Sequence, residues 1–229
     1  MFLSRRSLQA EYFDQPDLPL SELQLNYEHL RTINRIFYLR DCFQRYIPRL
    51  LKVENCKSLT LLDLGAGDGS LGRDLESWSR RRGWNWAVTN LDLNHSLART
   101  FPGQWICGSV LDLPLKNRSF DVVISSQMFH HFNKDQEIIR AFSEAWRVAG
   151  KAVLLNDLHR NLILYALLNG LLRAGMFPRT FREDGLISVR KGFRVPEWRE
   201  FAQQAQIPQP KVWLYFGARV MLWASKTGE

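Results

Sequence analysis

The stretch Leu61-Leu62-Asp63-Leu64-Gly65-Ala66-Gly67-Asp68-Gly69 decides the fold. It leaves an apolar run that reads as a strand. It enters a pattern, Leu71, Leu75 and Trp78, that reads as one face of a helix. Glycines between a strand and a helix permit a tight turn with positive φ and let a ligand approach the backbone closely. Unpaired N–H groups at the helix start donate to a polar or anionic group. The spacing is G-x-G-x-G, not the G-x-G-x-x-G of dinucleotide sites. The acid Asp63 ends the strand two residues before the first glycine. A carboxylate there repels a pyrophosphate and suits a ligand that carries an ammonium group.

Outward from this turn, residues 60–64, 86–93, 105–107, 120–125 and 151–156 read as strands. Residues 71–78, 94–100 and 135–146 read as the helices between them. Such alternation argues for a parallel sheet covered on both faces. Residues 1–57 read as helical after a loop with Pro16 and Pro19: Leu23, Leu25, Tyr27, Leu30, Ile33, Ile36, Phe37 and Leu39 suggest one apolar face. A second helix over 41–51 is expected to break at Pro48. Residues 162–172 are apolar nearly all round, which predicts a helix that is buried or faces an apolar partner. An Arg- and Phe-rich loop, FPRTFREDG, follows. Residues 196–205 read as a helix with Pro at its first turn, and KVWLYFGARVMLWAS as two strands joined at Gly217.

Composition narrows the function classes. The 229 residues suit one large domain, with hydrophobic residues at 45% and charged residues at 24%. Cys42, Cys56 and Cys107 are odd in number and lack a CxxC, so neither a disulfide framework nor a metal site is read from them, and a reducing cytoplasm is expected. The N-terminus shows no signal-peptide core, and no window carries a membrane span of about 20 apolar residues. The net charge of +8 divides as +2 over residues 1–57, zero over 58–150 and +6 over 151–229. A basic C-terminal third suits nucleic acid, anionic lipid or an acidic substrate, or simply a solvated surface.

A second acid, Asp92, closes the strand in Asn90-Leu91-Asp92-Leu93. A carboxylate there can accept from both ribose hydroxyls. The competing role is a cap on the next helix, which Asn94 can also fill. S-adenosylmethionine carries both an ammonium and a sulfonium, whereas a dinucleotide carries two phosphates.

With LLDLGAGDG, NLDLN, DLPLKNRSFDVVISSQMFHHF and a strand after RVAGK in that order, residues 58–156 resemble class I S-adenosylmethionine-dependent methyltransferases. The likeness is to the branch of the ubiquinone/menaquinone-biosynthesis type. The flanking YFDQPDLPLSELQLNYEHLRTINR, NDLHR and SVRKGFRVPEWREFAQQA look like small bacterial methyltransferases associated with polyketide or phenolic-lipid pathways. The resemblance implies a doubly wound, Rossmann-like α/β fold. Its seven-stranded sheet would be mostly parallel with an antiparallel last strand. It implies a 1–57 helical cap and a 58–229 methyltransferase domain with a lid at about 157–195. Asp63, Gly65 and Gly67 would lie along the methionine moiety, and Ala66, Gly69 and Ser125 would also bind the cofactor. Asp92 would hold the ribose, with Leu93, Ser109 and Val110 at the adenine. Ser109 stands where such enzymes usually carry an acid, and it can still accept a hydrogen bond.

After the fourth strand, Ser125-Ser126-Gln127-Met128 offers no Pro-Pro-aromatic platform for methylating an amine, and no cysteine nucleophile. His130 and His131 follow, where the transferring methyl is expected. A histidine can take a proton from a phenol or enol, or merely pack beside the cofactor while proximity does the work. Arg160 and Arg182 are candidates to hold an acidic substrate oxygen, and Phe177 to line an apolar pocket. The expected activity is methyl transfer to oxygen or carbon of a small phenolic, quinone-like or polyketide-derived molecule. No nucleic acid is required. The apolar helix and its basic neighbours also fit contact with a membrane surface. The alternatives are an RNA or protein methyltransferase, and an inactive binding protein of the same fold. Nothing in the sequence sets the oligomeric state.

Overall fold

All seven apolar runs form strands of one sheet: β1 (Ser58–Leu64), β2 (Asn85–Asp92), β3 (Gln104–Cys107), β4 (Phe120–Ser126), β5 (Ala149–Leu158), β6 (Lys211–Tyr215) and β7 (Arg219–Ser225). Their order is β3-β2-β1-β4-β5-β7-β6. Strands β1 to β5 pair in parallel, and β7 runs antiparallel to both β5 and β6. This is the expected Rossmann-like sheet. The chain leaves β1 toward β2 on one side and returns as β4 on the other, so the switch point lies at the carboxyl end of β1, directly above the glycine turn. The computed structural model describes residues 3–15, 18–36, 41–52, 56–175 and 177–226. Pro16, Phe37 and Leu39 fall outside them.

The helices are α1 (Leu20–Ile36), α2 (Asp41–Leu51), α3 (Ser70–Arg80), α4 (His95–Thr100), α5 (Asp135–Val148), α6 (Leu162–Ala174), α7 (Arg179–Lys191) and α8 (Val195–Gln204). One face of the sheet packs with α5 and α8, where Ile138, Phe142, Ala145, Trp198 and Phe201 close a core with Val123, Leu155 and Leu222. The other face packs with α2 and α3, through Phe43, Ile47, Leu51 and Leu75 on Leu61, Val122 and Leu154. Helix α2 thus belongs to the sheet's own core, whereas α1 lies across the carboxyl ends. A third core joins Ile33 of α1 to Leu164, Leu168, Leu172, Phe181 and Val189 above the sheet.

Two expectations are corrected, and a third is refined. Helix α2 runs through Pro48 without a break. Burial of Ile47, Pro48 and Leu51 on the sheet offsets the hydrogen bond lost at the proline, a cost of about 3 kcal/mol. The stretch read as a loop is mostly helix, because α7 starts directly after Pro178. Its inward positions include Phe181, Asp184, Ile187 and Lys191, at helical spacing but half of them charged, so hydrophobic periodicity does not reveal them. Helix α6 is not buried all round. Leu164, Leu168 and Leu172 face inward, while Leu162, Ile163 and Leu167 are 65%, 73% and 61% exposed.

Candidate active site

The glycine turn leaves β1 with Gly65 at φ 66° and Gly67 at φ 56°, backbone that L side chains rarely adopt. Space is short as well. A Cβ on Gly65 would meet Met128 Cγ at 2.2 Å, and one on Gly67 would meet Tyr27 Cε1 at 2.8 Å. The turn opens into a cavity of about 820 Å³. Its walls come from the turn, the ends of β2 and β4, and helices α1, α6 and α7. Helix α1 presents Leu23, Tyr27, Leu30 and Asn34 to it, one helical face. Arg31 ties this helix to the turn through Asp68, Nε to Oδ2 3.0 Å.

Asp63 sits on the cavity floor, 2% exposed, and its Oδ2 has no hydrogen-bond partner. Burial raises its pKa well above the ordinary carboxylate range, and the charges of Asp92 and Asp68 add to the effect. A buried, unpaired carboxylate between two other acids is a receptor for a cation. That is the chemistry of the ammonium end of S-adenosylmethionine and the reverse of what a diphosphate needs. Asp92 accepts from the backbone N–H of Gly67 and of Asn94, both at 3.0 Å. Burial raises its pKa despite these bonds. Asn94 caps α4, accepting from Ser96 at 3.0 Å. The capping role is therefore filled by Asn94, while Asp92 fixes the glycine turn and faces the cavity.

Beyond the turn lies a chain of charged groups. His130 is buried, with its Nδ1 2.7 Å from Asp157 Oδ1 and its backbone N–H donating to Asp157 Oδ2 at 3.0 Å. His130 Nε2 lies 3.9 Å from Glu11 Oε1. His131 Nδ1 pairs with Asp14 Oδ1 at 2.7 Å. The buried Lys191 ammonium joins the two acids, 3.0 Å from Glu11 and 3.3 Å from Asp14. Burial disfavours the charged form of His131, but the Asp14 hydrogen bond and the charges of Glu11 and Asp14 outweigh it, so its pKa is raised. Burial likewise works against the Asp14 charge, yet His131 and Lys191 hold its pKa well below the usual range. One atom each from Glu11, His130 and His131 come within 4.8 Å of one another, close enough to consider a metal ion. The Lys191 ammonium already supplies the positive charge at that point.

Of the residues expected at the cofactor, Asp63, Gly65, Ala66, Gly67, Asp92, Leu93, Ser109 and Val110 line this cavity, as do His130 and His131. Gly69 does not. It is the left-handed N-cap of α3, packed on Trp105 and Asn90. Ser125 is fully buried and donates to the Leu64 carbonyl at 2.8 Å, so its hydroxyl ties β4 to β1, and the neighbouring Ser126 lines the cavity instead. The substrate assignments fare worse. Arg160 is 1% exposed and spends its guanidinium on the carbonyls of Leu3 and Gly192 and on Glu197. Arg182 and Phe177 lie outside the lining, and Phe177 packs instead on Phe181, which is in it. Sequence reasoning missed Glu11, Asp14, Asp184 and Lys191. Asp184 holds the backbone N–H groups of Tyr12 and Phe13, at 2.8 and 2.9 Å, and so brings the N-terminal segment to the site. The only sequence signal was an odd one, an acid and a lysine, Asp184 and Lys191, at inward positions of α7.

Comparison with known proteins agrees with this geometry. A family model described as "Methyltransferase domain" matches residues 62–154. No curated protein sequence matches the chain. Among solved structures, a protein from Anabaena variabilis described as a methyltransferase from an antibiotic biosynthesis pathway is similar at 19% identity and TM-score 0.51, covering 73% of this chain. The match spans 64% of that protein's length. A protein from Methanococcus maripaludis described as an S-adenosyl-L-methionine-dependent methyltransferase is 14% identical with TM-score 0.59, covering 88% of this chain and 92% of its own. The plantazolicin methyltransferase BpumL, solved with a monoazolic desmethylPZN analogue and SAH, is 14% identical with TM-score 0.66, covering 95% and 93%. At these identities the likeness is one of fold. Residues 62–154 thus match a methyltransferase domain, and the switch-point cavity with its orphaned Asp63 stands on the Rossmann-like fold that such methyltransferases share.

Proposed function

We propose that the chain transfers a methyl group from S-adenosylmethionine to an oxygen or carbon of a small apolar acceptor of the phenolic, quinone-like or polyketide-derived kind. The observation that carries this reading is the continuity of the cavity. It runs from Asp63 and the glycine turn to His130 and His131, and Leu30, Ile33, Leu164, Leu168 and Phe181 supply apolar walls around that charged end. BpumL, of similar fold, was solved with a monoazolic desmethylPZN analogue and SAH, and the reading gives this cavity the same pairing of an acceptor with the cofactor.

Asp63 takes the ammonium, and Asp92 takes the ribose hydroxyls while holding Gly67. Leu93, Ser109 and Val110 flank the adenine. The cofactor supplies an electrophilic methyl on a sulfonium. The protein places the acceptor by its apolar walls and supplies a path for the proton that leaves it. Nδ1 of His131 is engaged by Asp14, so Nε2 is the atom that receives the proton. Asp157 fixes the ring of His130 in the same manner. Three thiols with no disulfide among the described residues support placement in the cytoplasm. No helix of the described residues is long and apolar enough to cross a membrane.

The test is calorimetric titration with S-adenosylmethionine, followed by methyl transfer to a panel of phenols, hydroquinones and RNA. Micromolar cofactor binding, at least tenfold weaker in Asp92→Ala, with transfer to a phenolic acceptor, is the expected result. Transfer to RNA alone would overturn the acceptor class. A folded protein that binds no cofactor would overturn the enzyme reading.

A further inference from the structure

Helix α6 has two apolar faces with different fates. Leu164, Leu168 and Leu172 point into the cavity. On the opposite side Leu162, Ile163 and Leu167 are 65%, 73% and 61% exposed. A fourth large side chain joins them. Phe216, 73% exposed, sits with φ 47° at the tip of the β6–β7 hairpin. That tip is fastened to the start of α6, because Asn161 caps the helix, accepting from Leu164 at 2.8 Å, and also donates to the Gly217 carbonyl at 3.1 Å. Four of the nine exposed large hydrophobic residues among the described ones therefore meet at one corner. Scattered exposed leucines are ordinary, but a grouped apolar patch marks an interaction surface.

The charge around this corner is one-sided. Between Asp157 and Glu183 the chain has no acid and four arginines. Arg160 is buried and Arg179 pairs with Glu183 at 2.7 Å, while Arg173 ends α6 exposed. An apolar helix face with the Arg173 cation at its end, and no acid along it, matches the boundary between lipid tails and anionic headgroups. A second copy of this face would offer Arg173 no acid along the helix. Thirteen residues of helix, about 20 Å long, can lie in an interface but cannot span a bilayer.

We propose that the outer face of α6, with Phe216, docks on an anionic lipid bilayer, so that the helix roofing the cavity lies at the membrane surface. An apolar acceptor dissolved in the bilayer then enters beneath α6 without crossing water. That delivery route rests on the small-acceptor reading above; the docking does not.

The experiment is flotation of the intact protein with vesicles of phosphatidylcholine alone, and of phosphatidylcholine with about one-third phosphatidylglycerol, without acceptor. The expected result is binding to the anionic vesicles, weakened by salt. The double variant Ile163→Asp/Leu167→Asp should bind at least tenfold less, and Arg173→Glu should narrow the difference between the two vesicle types. Both substitutions fall on exposed positions away from the cavity, so thermal stability and S-adenosylmethionine binding remain as in the parent. Failure of the parent to bind, or equal binding by the double variant, overturns the proposal. So does a parent that sediments as a dimer and a double variant that sediments as a monomer, since the face then belongs to a second copy. Methyl transfer to a water-soluble phenol should be unaffected by the double variant, so a failed docking experiment leaves the enzyme reading standing.

Discussion

Replacing Asp63 by Asn should move cofactor binding and stability in opposite directions. In the protein without cofactor, the Asp63 carboxyl is buried with Oδ2 unpaired, and Asp92 and Asp68 repel its charge. A carboxyl whose pKa is higher folded than unfolded destabilises the fold once pH rises above its unfolded value near 3.8, and the loss grows until the folded group also ionises. At neutral pH the parent carries that loss and the Asn variant does not. The Asn amide remains a buried polar group, but it carries no charge against burial, Asp92 and Asp68, and each unit of such a pKa shift is worth about 1.4 kcal/mol. Relief of that cost should raise the melting temperature by about 2–10 °C for a chain of this size. Cofactor binding should suffer, because the ammonium loses a charged acceptor worth about 1.5–3 kcal/mol, a Kd weaker by roughly 10- to 150-fold. Thermal unfolding without cofactor and calorimetry with it read the two effects separately. A variant that melts lower without cofactor, or binds it as tightly as the parent, would refute the assignment of Asp63 as the cation receptor.

The remaining predictions concern the charged end of the cavity and the buried arginine. His131→Ala should lower turnover more than ~100-fold if the ring takes the acceptor's proton. Because Asp14 and Glu11 raise the His131 pKa above 6.5, the ring is protonated below that raised value and its basic form appears only above it. The turnover of the parent should therefore climb with pH through a midpoint above 6.5, and Asp14→Asn should move that midpoint down; a flat profile, or one indifferent to Asp14, removes His131 from the proton path. Arg160→Met should cost about 2–3 kcal/mol of stability, toward the low end for a buried pair because Glu197 is partly exposed, and leave the acceptor KM unchanged. A raised KM with an unchanged melting temperature would return Arg160 to the substrate.

The turn from Asp63 to Gly69 and the acid at Asp92 were legible because they are local. A strand, a positive-φ turn and a helix start are consecutive in the chain, and the ligand chemistry follows from which residue types stand there. The strands were legible for the same reason, since continuous β-branched and leucine runs need burial on both faces. Pro48 and α7 were misread because tertiary packing decided them. A sheet face holds α2 through its proline, and Asp184 and Lys191 are inward because backbone N–H groups and carboxylates from residues 11–14 meet them. The same holds for the charged end of the cavity. The sequence shows His130 and His131 as neighbours, but their carboxylate partners, Asp157 and Asp14, lie 27 and 117 positions away. The sequence by itself determined the sheet, the glycine turn and the acids beside it, because each is written in a few adjacent residues. Only the tertiary structure decided which charges meet His130 and His131 and that Arg160 faces inward, because these depend on where distant segments come to rest.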